Sequence, residues 1–438
     1  MQDNTNKDKN DRKEKRSKTH RTLRKSKSDT EKNYNTSSHT AQRMDRERQK
    51  IRKEKQAARK AELRKKGMIV GAAVLVVLLI IFLAACPGKK QKKEKESAAH
   101  TTVNQENKEA VAETSASDAE ADEATGHVPA SEVRHFSFGM LLADEMAGDN
   151  SALTVNQFRQ ILQQLYDANY ILVDFYNIAD VEQNEDGSKA YTPATLNIPE
   201  GKIPFVLSQR DVSYSFDRIG KGYASRMIID GDQLTNEYQR SDGAQMRDSY
   251  DVVPVLEEFI AEHPDFSYEN ARGVIGLTGY NGVLGYRTSE ILGKTTEEGN
   301  PYAIYGTYDV NAEIEACKPV IEALKNKGWH FACYGDSYCS YGAEYAMMTT
   351  DLENWKHNVE KLIGGTDLLM FPCETDIGPW SEYKADNQKY QYLKKQGFDY
   401  FCIEEKNNPS WLQIRPDYVR QGMKEIDNID DFTQLVGE

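Results

Sequence analysis

Histidine is scarce in this chain, with eight in 438 residues. No two of them stand two to five positions apart, so no local pair brings both imidazoles to one ion, and the His-pair zinc motifs are excluded. Large apolar residues are almost missing from Met1 to Lys66, a run of Lys, Arg, Asn, Ser and Thr. Such a segment cannot bury enough surface to offset chain entropy, so residues 1–67 read as a mostly disordered basic arm, at least to Gln42. From Ala41 to Lys66 the composition turns to Ala, Gln, Glu, Arg and Lys, which suits a basic helix against anionic lipid. Phe, Trp and Tyr are absent between Pro87 and Ser131, and no apolar periodicity starts before His135. Residues 87–133 therefore read as a flexible linker, spanning about 35–40 Å root mean square.

Against these absences stands one uncharged run, Met68–Ala85, rich in Val, Leu and Ile and long enough to cross a bilayer as a helix. With Cys86 it gives an expected transmembrane helix at 68–86. The arm before it carries 24 Lys plus Arg against 10 Asp plus Glu, a basic flank that stays on the cytoplasmic side. Subtracting that +14 from the total of −13 leaves −27 for the rest. The expected topology is a single-pass plasma-membrane protein with a cytoplasmic N-terminus and an extracellular C-terminal domain. A cleaved signal has a far shorter positive region. Leu83-Ala84-Ala85-Cys86 also suits a lipoprotein cleavage site, which tethers the same domain to the same face. The arm reads as a topology signal, with no nucleic-acid partner.

From residue 134 to 438 helix-period and strand-period segments alternate. Thr154 is placed to cap a helix carrying Val155, Phe158, Ile161, Leu162 and Leu165, followed by a strand at Tyr170–Val173. The phrase returns as helix Ile314–Lys327, Gly328 and strand Trp329–Cys333, and as helix Tyr390–Gln396, Gly397 and strand Phe398–Ile403. Further strands are expected at Ile203–Leu207, Val274–Leu277 and Leu368–Phe371. This alternation predicts an α/β fold with a parallel sheet, a (β/α) barrel first and a doubly wound open sheet second.

Ligand sites in such folds sit at the C-terminal strand ends. These are Ser208-Gln209-Arg210-Asp211, Tyr334-Gly335-Asp336-Ser337-Tyr338, Pro372-Cys373-Glu374-Thr375-Asp376 and Glu404-Glu405. From about Leu153 onward the chain resembles the NodB-homology polysaccharide deacetylases, carbohydrate esterase family four. The resemblance rests on Leu153–Asp174, Pro204–Asp211, Gly328–Tyr338, Leu277-Thr278-Gly279-Tyr280 with Gly285-Tyr286-Arg287, Phe371-Pro372, and Tyr418–Gly422. It implies a distorted barrel, a glycan substrate and a divalent metal held by an Asp and two His, with a second Asp as base. The span between Asp211 and Tyr334 implies a large insertion.

This chain departs at the chemical positions. Arg210 stands where the base belongs, Asp211 is the only retained metal ligand, and Tyr334 and Tyr338 replace the two His. Arg takes no proton near neutral pH and a neutral phenol is a poor metal ligand. No catalytic residue is assigned. No cofactor is expected, with a divalent metal only if the chain is active. The substrate-binding candidates are Asp211, Tyr334, Asp336, Tyr338, Tyr280, Tyr286, Arg287, Pro372 and Glu374.

Other side chains offer alternatives. Cys333, Cys339, Cys373 and Cys402 lie near the strand ends, and outside the cytoplasm a disulfide or free thiol is favoured over a metal site. Asp336, Glu374, Asp376, Glu404 and Glu405 resemble a glycosidase's acids, though solvated carboxylates are common there. His330 reads as a structural residue. Tyr214, Tyr280, Tyr286, Tyr334, Tyr338, Tyr341 and Trp380 fall on loops or strand ends where rings pack on sugars. The expectation is a membrane-anchored protein binding or acting on a cell-envelope polysaccharide or peptidoglycan without metal-dependent hydrolysis. An active N-deacetylase with an altered site and a non-catalytic scaffold for envelope enzymes are the alternatives.

Overall fold

The computed structural model describes residues 125–143, 152–294, 300 and 302–437. The expected arm, the expected transmembrane helix at 68–86 and the expected linker as far as residue 124 lie outside the described residues. Among the described residues no helix is long and apolar enough to cross a membrane.

Seven parallel strands form the frame: β1 (Arg134–Phe138), β2 (Ile203–Gln209), β3 (Val274–Leu277), β4 (His330–Cys333), β5 (Leu368–Met370), β6 (Tyr400–Glu404) and β7 (Tyr418–Ile426). Each pairs with the next in sequence order. β7 then returns to β1, with Lys424–Ile426 against Phe136–Phe138, and the sheet closes. Closure sets aside the doubly wound alternative, because an open sheet keeps two unpaired edges.

Strand parity builds two cores. Outward side chains such as Phe136, Phe138, Leu207, Ile275, Leu369 and Phe401 pack against surrounding helices. These helices are α1 (Val155–Asp167), α2 (Val252–Glu262), α3 (Val310–Asn326), α4 (Tyr345–Trp355), α5 (Gln388–Lys395) and α6 (Ile429–Gly437). The capping box at the start of α1 is complete: Thr154 Oγ1 accepts from Gln157 N at 3.1 Å and Gln157 Oε1 accepts from Thr154 N at 2.9 Å. α3 starts four residues earlier than its periodicity predicts, because Asp309 accepts from Ala312 N at 3.1 Å and caps it. The inward residues Val206, Val274, Ala332, Met370, Cys402 and Val419 join Ala130, Val133, Phe175, Ile178, Leu196 and Ile198 in a second core. Midway sits a polar layer in which His135 meets Gln421 Oε1 at 3.1 Å and Ser208 Oγ at 2.8 Å. Burial is the largest influence on His135 and lowers its pKa to about 3, so the ring is neutral.

Strands outside this frame depart from the sequence reading in three places. Thr125–Pro129, inside the stretch read as linker, pairs antiparallel with Thr195–Pro199. Tyr170–Leu172 is a side strand on the first half of β2, because β3 takes the same edge further along, where Val274 pairs with Ser208. The inferred insertion contains a three-stranded antiparallel sheet, Ala224–Asp230, Gln233–Gln239 and Gln245–Asp248.

Candidate functional site at the barrel mouth

Arg210 shares the inward parity of Val206 and Ser208 and so turns into the barrel just beyond β2. Its guanidinium donates to Ser137 O at 2.9 Å and to Asp427 Oδ1 at 2.5 Å, and its Nε lies 3.4 Å from Glu425 Oε1. Burial opposes the charge, but the Glu425 and Asp427 carboxylates outweigh it and raise the Arg210 pKa. The position that the resemblance gives to a base is thus a fixed cation.

Asp211 follows with φ +60° and accepts from Ser213 Oγ at 3.3 Å. Tyr334 follows β4 with inward parity and is only 6% exposed. Room for it comes from Gly276, where a Cβ would stand 3.5 Å from Tyr334 Cβ and 3.1 Å from Met370 Sδ. Burial first and the Glu425 charge second push the Tyr334 phenol well above its usual range. Tyr338, at φ +58°, sets its ring edge-on to Tyr334 with 6.5 Å between centroids. Tyr280 also meets Tyr338 edge-on, with 6.1 Å between centroids. The three rings form one row across the loops after β3 and β4. Cys373 and Glu374 also take positive φ, +58° and +55°. Left-handed backbone at Asp211, Tyr338, Cys373 and Glu374 costs about 1–3 kcal/mol each, and such strain gathers at functional sites.

Other candidates lie elsewhere. Tyr286 is buried under the Arg226 guanidinium, 4.5 Å from its ring centroid. Arg287 is buried and donates to the carbonyls of Asn281 and Tyr214, both at 2.9 Å. Both hold the insertion to the barrel rather than joining the row. Pro372 is buried against Gly335, where a Cβ would stand 3.3 Å from its Cγ. Asp336 accepts from Asn358 Nδ2 at 2.9 Å, and burial raises its pKa to about 6. Tyr214 and Tyr341 are buried, while Trp380 is exposed and packs edge-on to Trp411 at 4.6 Å. His330, at the start of β4, donates from Nε2 to Asp174 Oδ2 at 2.6 Å.

The acidic residues divide. Asp376 accepts from the buried Arg420 at 2.5 Å and from Tyr383 OH at 2.6 Å, so it is an internal ion pair rather than a solvated carboxylate. Glu405 accepts from Asn407 N at 2.7 Å. Glu374 and Glu404 instead converge with Glu425, their carboxylate oxygens within 4.8 Å of one another. Glu425 is missing from the sequence reading. The period-two inward row Val419, Gln421, Met423 and Glu425 is the signal that points to it.

The donor set at the metal position that the resemblance implies is one carboxylate, Asp211, and two phenols. Tyr334 stays protonated, so these residues do not fit that ion and no step is derived through it. The cysteines do not replace it: among the described residues none of Cys317, Cys333, Cys339, Cys373 and Cys402 joins a group of metal-ligating side chains.

No family model and no curated relative matches the chain. Among solved structures it is similar to a deacetylase, PplD, of Streptococcus pyogenes in complex with acetate, at 11% identity and TM-score 0.34, covering 71% of this chain and 98% of that one. It is also similar to IcaB from Ammonifex degensii, at 11% identity and TM-score 0.35 over 70% of this chain and 97% of that one. A polysaccharide deacetylase from Bacillus cereus, BC0361, matches at 9% identity and TM-score 0.32, covering 71% and 69%.

Proposed function

We propose that this chain is a polysaccharide-deacetylase-like protein that binds a cell-envelope glycan at its barrel mouth without the family's metal-dependent hydrolysis. The domain is held outside the cytoplasm by a single span at 68–86. The observation that carries the reading is the row Tyr280, Tyr338 and Tyr334 beside an Arg210 locked between Glu425 and Asp427. Tyrosine faces and edges offer apolar contact to sugar C–H surfaces and hydroxyls to sugar oxygens, and such contacts need no proton transfer. Arg210 supplies a positive charge where a base would have to accept a proton.

The test is to assay the full-length chain in detergent for acetate release from N-acetylated glycans, and to screen it on an array of chitin oligomers, peptidoglycan fragments and other envelope polysaccharides. Binding in the micromolar to millimolar range, about −4 to −8 kcal/mol, without acetate release is the expected result. Acetate release would move the reading to an active deacetylase. A folded protein that binds no glycan would move it to a scaffold.

A further inference from the structure

We propose that Asp351, buried on α4, is the positioning residue of the aromatic row: it fixes the turn that joins Tyr334 to Tyr338 and holds that turn against the loop of Tyr280. The assignment rests on the glycan reading of the row, while the geometry behind it stands apart from any ligand. Asp351 is 4% exposed. Its Oδ1 accepts from Ser337 N at 2.9 Å and from Ser337 Oγ at 2.8 Å. Its Oδ2 accepts from Asp336 N at 2.9 Å and from Tyr341 OH at 3.3 Å. Two successive backbone N–H groups aimed at one anion fix the path of a turn, and hydrogen bonds to a charged acceptor are the strong kind. Burial pushes the Asp351 carboxyl up from its usual range, and the bonds from Ser337, Asp336 and Tyr341 oppose that rise.

The residue that opens the turn is shaped to meet this carboxylate. Gly335 takes φ +71°, and a Cβ there would stand 2.8 Å from Asp351 Oδ2 and 3.3 Å from Pro372 Cγ. Only glycine lets the backbone come so close in that conformation. At the far end of the turn Tyr338 takes φ +58°, and Cys373 Sγ donates to its carbonyl at 2.9 Å. Left-handed backbone at a bulky residue persists only where the surroundings over-determine it. Asp351 on one side and Cys373 on the other supply that constraint.

The same helix reaches the neighbouring loop. Trp355 Nε1 donates to Leu277 O, the last residue of β3, at 2.8 Å. Two residues further on, a Cβ at Gly279 would stand 1.9 Å from Asp336 Oδ1, so the Asp336 carboxyl occupies the space that a side chain there would need. That oxygen also accepts from Asn358 Nδ2, just beyond α4, at 2.9 Å. Tyr280 and Tyr338 thus extend from two loops that meet directly through Gly279 and Asp336, and this contact sets the 6.1 Å between their ring centroids. A site whose rings are fixed beforehand does not have to order its loops when a ligand arrives, and affinity rises by the cost avoided. Asp351 supplies that preorganisation and makes no contact with the sugar itself.

The experiment is hydrogen–deuterium exchange of the full-length chain in detergent, joined to isothermal titration with a chitin tetramer. Asp351→Asn replaces one acceptor oxygen by an amino group that faces the donors of the turn. Exchange over residues 335–338 should rise at least tenfold while β1 to β7 stay protected. Affinity for the tetramer should fall at least fivefold, and that loss should vanish in a Tyr338→Gly background, because a positioning residue acts through the ring it positions. A merely structural role would add its loss to that of Tyr338→Gly. Gly279→Ala drives a methyl group against Asp336 and should loosen the same turn with Asp351 intact, so it decides the question if Asp351→Asn does not fold. Unchanged exchange over 335–338 in the folded variant overturns the proposal. So does raised exchange with unchanged affinity, and so do losses that add. If the wild type binds neither the tetramer nor any glycan on the array, the glycan reading falls, and the exchange result alone decides whether Asp351 sets the row.

Discussion

Arg210 and Asp427 meet at 2.5 Å across the seam where the barrel closes, one just past β2 and the other just past β7, with β1 between them. With Glu425 on the same guanidinium, this pair ties the end of β2 to the end of β7 across β1. Truncating Arg210→Ala leaves Glu425, 13% exposed, without its cation. The expected loss is about 2–4 kcal/mol, below the fully buried range because Asp427 is half solvated. Urea unfolding of the variant checks it, and a change under about 0.5 kcal/mol would mean that the pair contributes nothing.

The family's metal can be rebuilt without touching that pair. Tyr334→His with Tyr338→His places two imidazoles beside Asp211, and histidine is among the residues that tolerate left-handed backbone such as that of Tyr338 at φ +58°. Zinc binding in the micromolar range or better is expected, measured by competition with a chromogenic chelator. A folded double variant with no zinc affinity means that these strand ends do not converge as the resemblance implies. Adding Arg210→Asp would instead crowd a new carboxylate against Glu425 and Asp427 and should destabilise the fold.

Tyr338 separates binding from stability, whereas Tyr334 does not. Tyr334 is buried, so Tyr334→Ala should cost about 3 kcal/mol or more. Tyr338→Gly removes a half-buried ring and relieves a left-handed conformation that glycine adopts freely. Glycan binding should weaken at least tenfold by isothermal titration while the melting transition stays level or rises. A lowered transition with unchanged affinity would show the ring to be a packing element only.

Asp336 makes stability fall as pH rises. Its folded pKa, about 6 against 3.8 for the free carboxyl, is raised chiefly by burial, so its stabilising share is complete below pH 3.8 and is lost as pH climbs through 6. Asp336→Asn retains an acceptor for Asn358 Nδ2. Relative to that variant, the wild type should lose on the order of 2–3 kcal/mol between pH 4 and 7. Parallel stability profiles in denaturant would contradict the assignment.

His135 has the opposite sign. Its folded pKa lies near 3 against 6.5 unfolded, so its contribution is complete above pH 6.5 and is lost as pH falls toward 3. Replacing it by Gln, which keeps polar contact with Gln421 and Ser208, should move the acid-unfolding midpoint to lower pH. A midpoint that stays in place would mean that the ring charges without breaking the interior polar layer.

Much of the frame was legible because apolar runs and glycine caps report locally. Val274–Leu277 was found to the residue, and Gly328 and Gly397 sit at φ +95° and +99° beyond their helices. The aromatic row was legible too, since Tyr334 and Tyr338 follow one strand and Tyr280 the strand beside it. β7 was not, because Arg420 and Lys424 interrupt its apolar pattern and its first half pairs along one edge with the antiparallel strand Leu412–Arg415. Losing that strand hid Glu425, and with it the acidic group. Tyr286 and Arg287 misled for the converse reason. Their contacts come from Arg226, Tyr214 and Asn281, partners supplied by a distant loop and an insertion that no local pattern reveals.

The order of strands around the barrel also fixes when the mouth comes into being. β1 and β7 are neighbours in space but about 280 residues apart along the chain, a separation that makes closure a late and slow event. During synthesis, strands β1 to β6 emerge as an open sheet with β1 and β6 exposed, a state that invites pairing with other chains until β7 arrives. Arg210 waits through that interval without Glu425 or Asp427. The barrel mouth and the seal against aggregation are therefore completed by the same short segment, Tyr418–Asp427, in a single step.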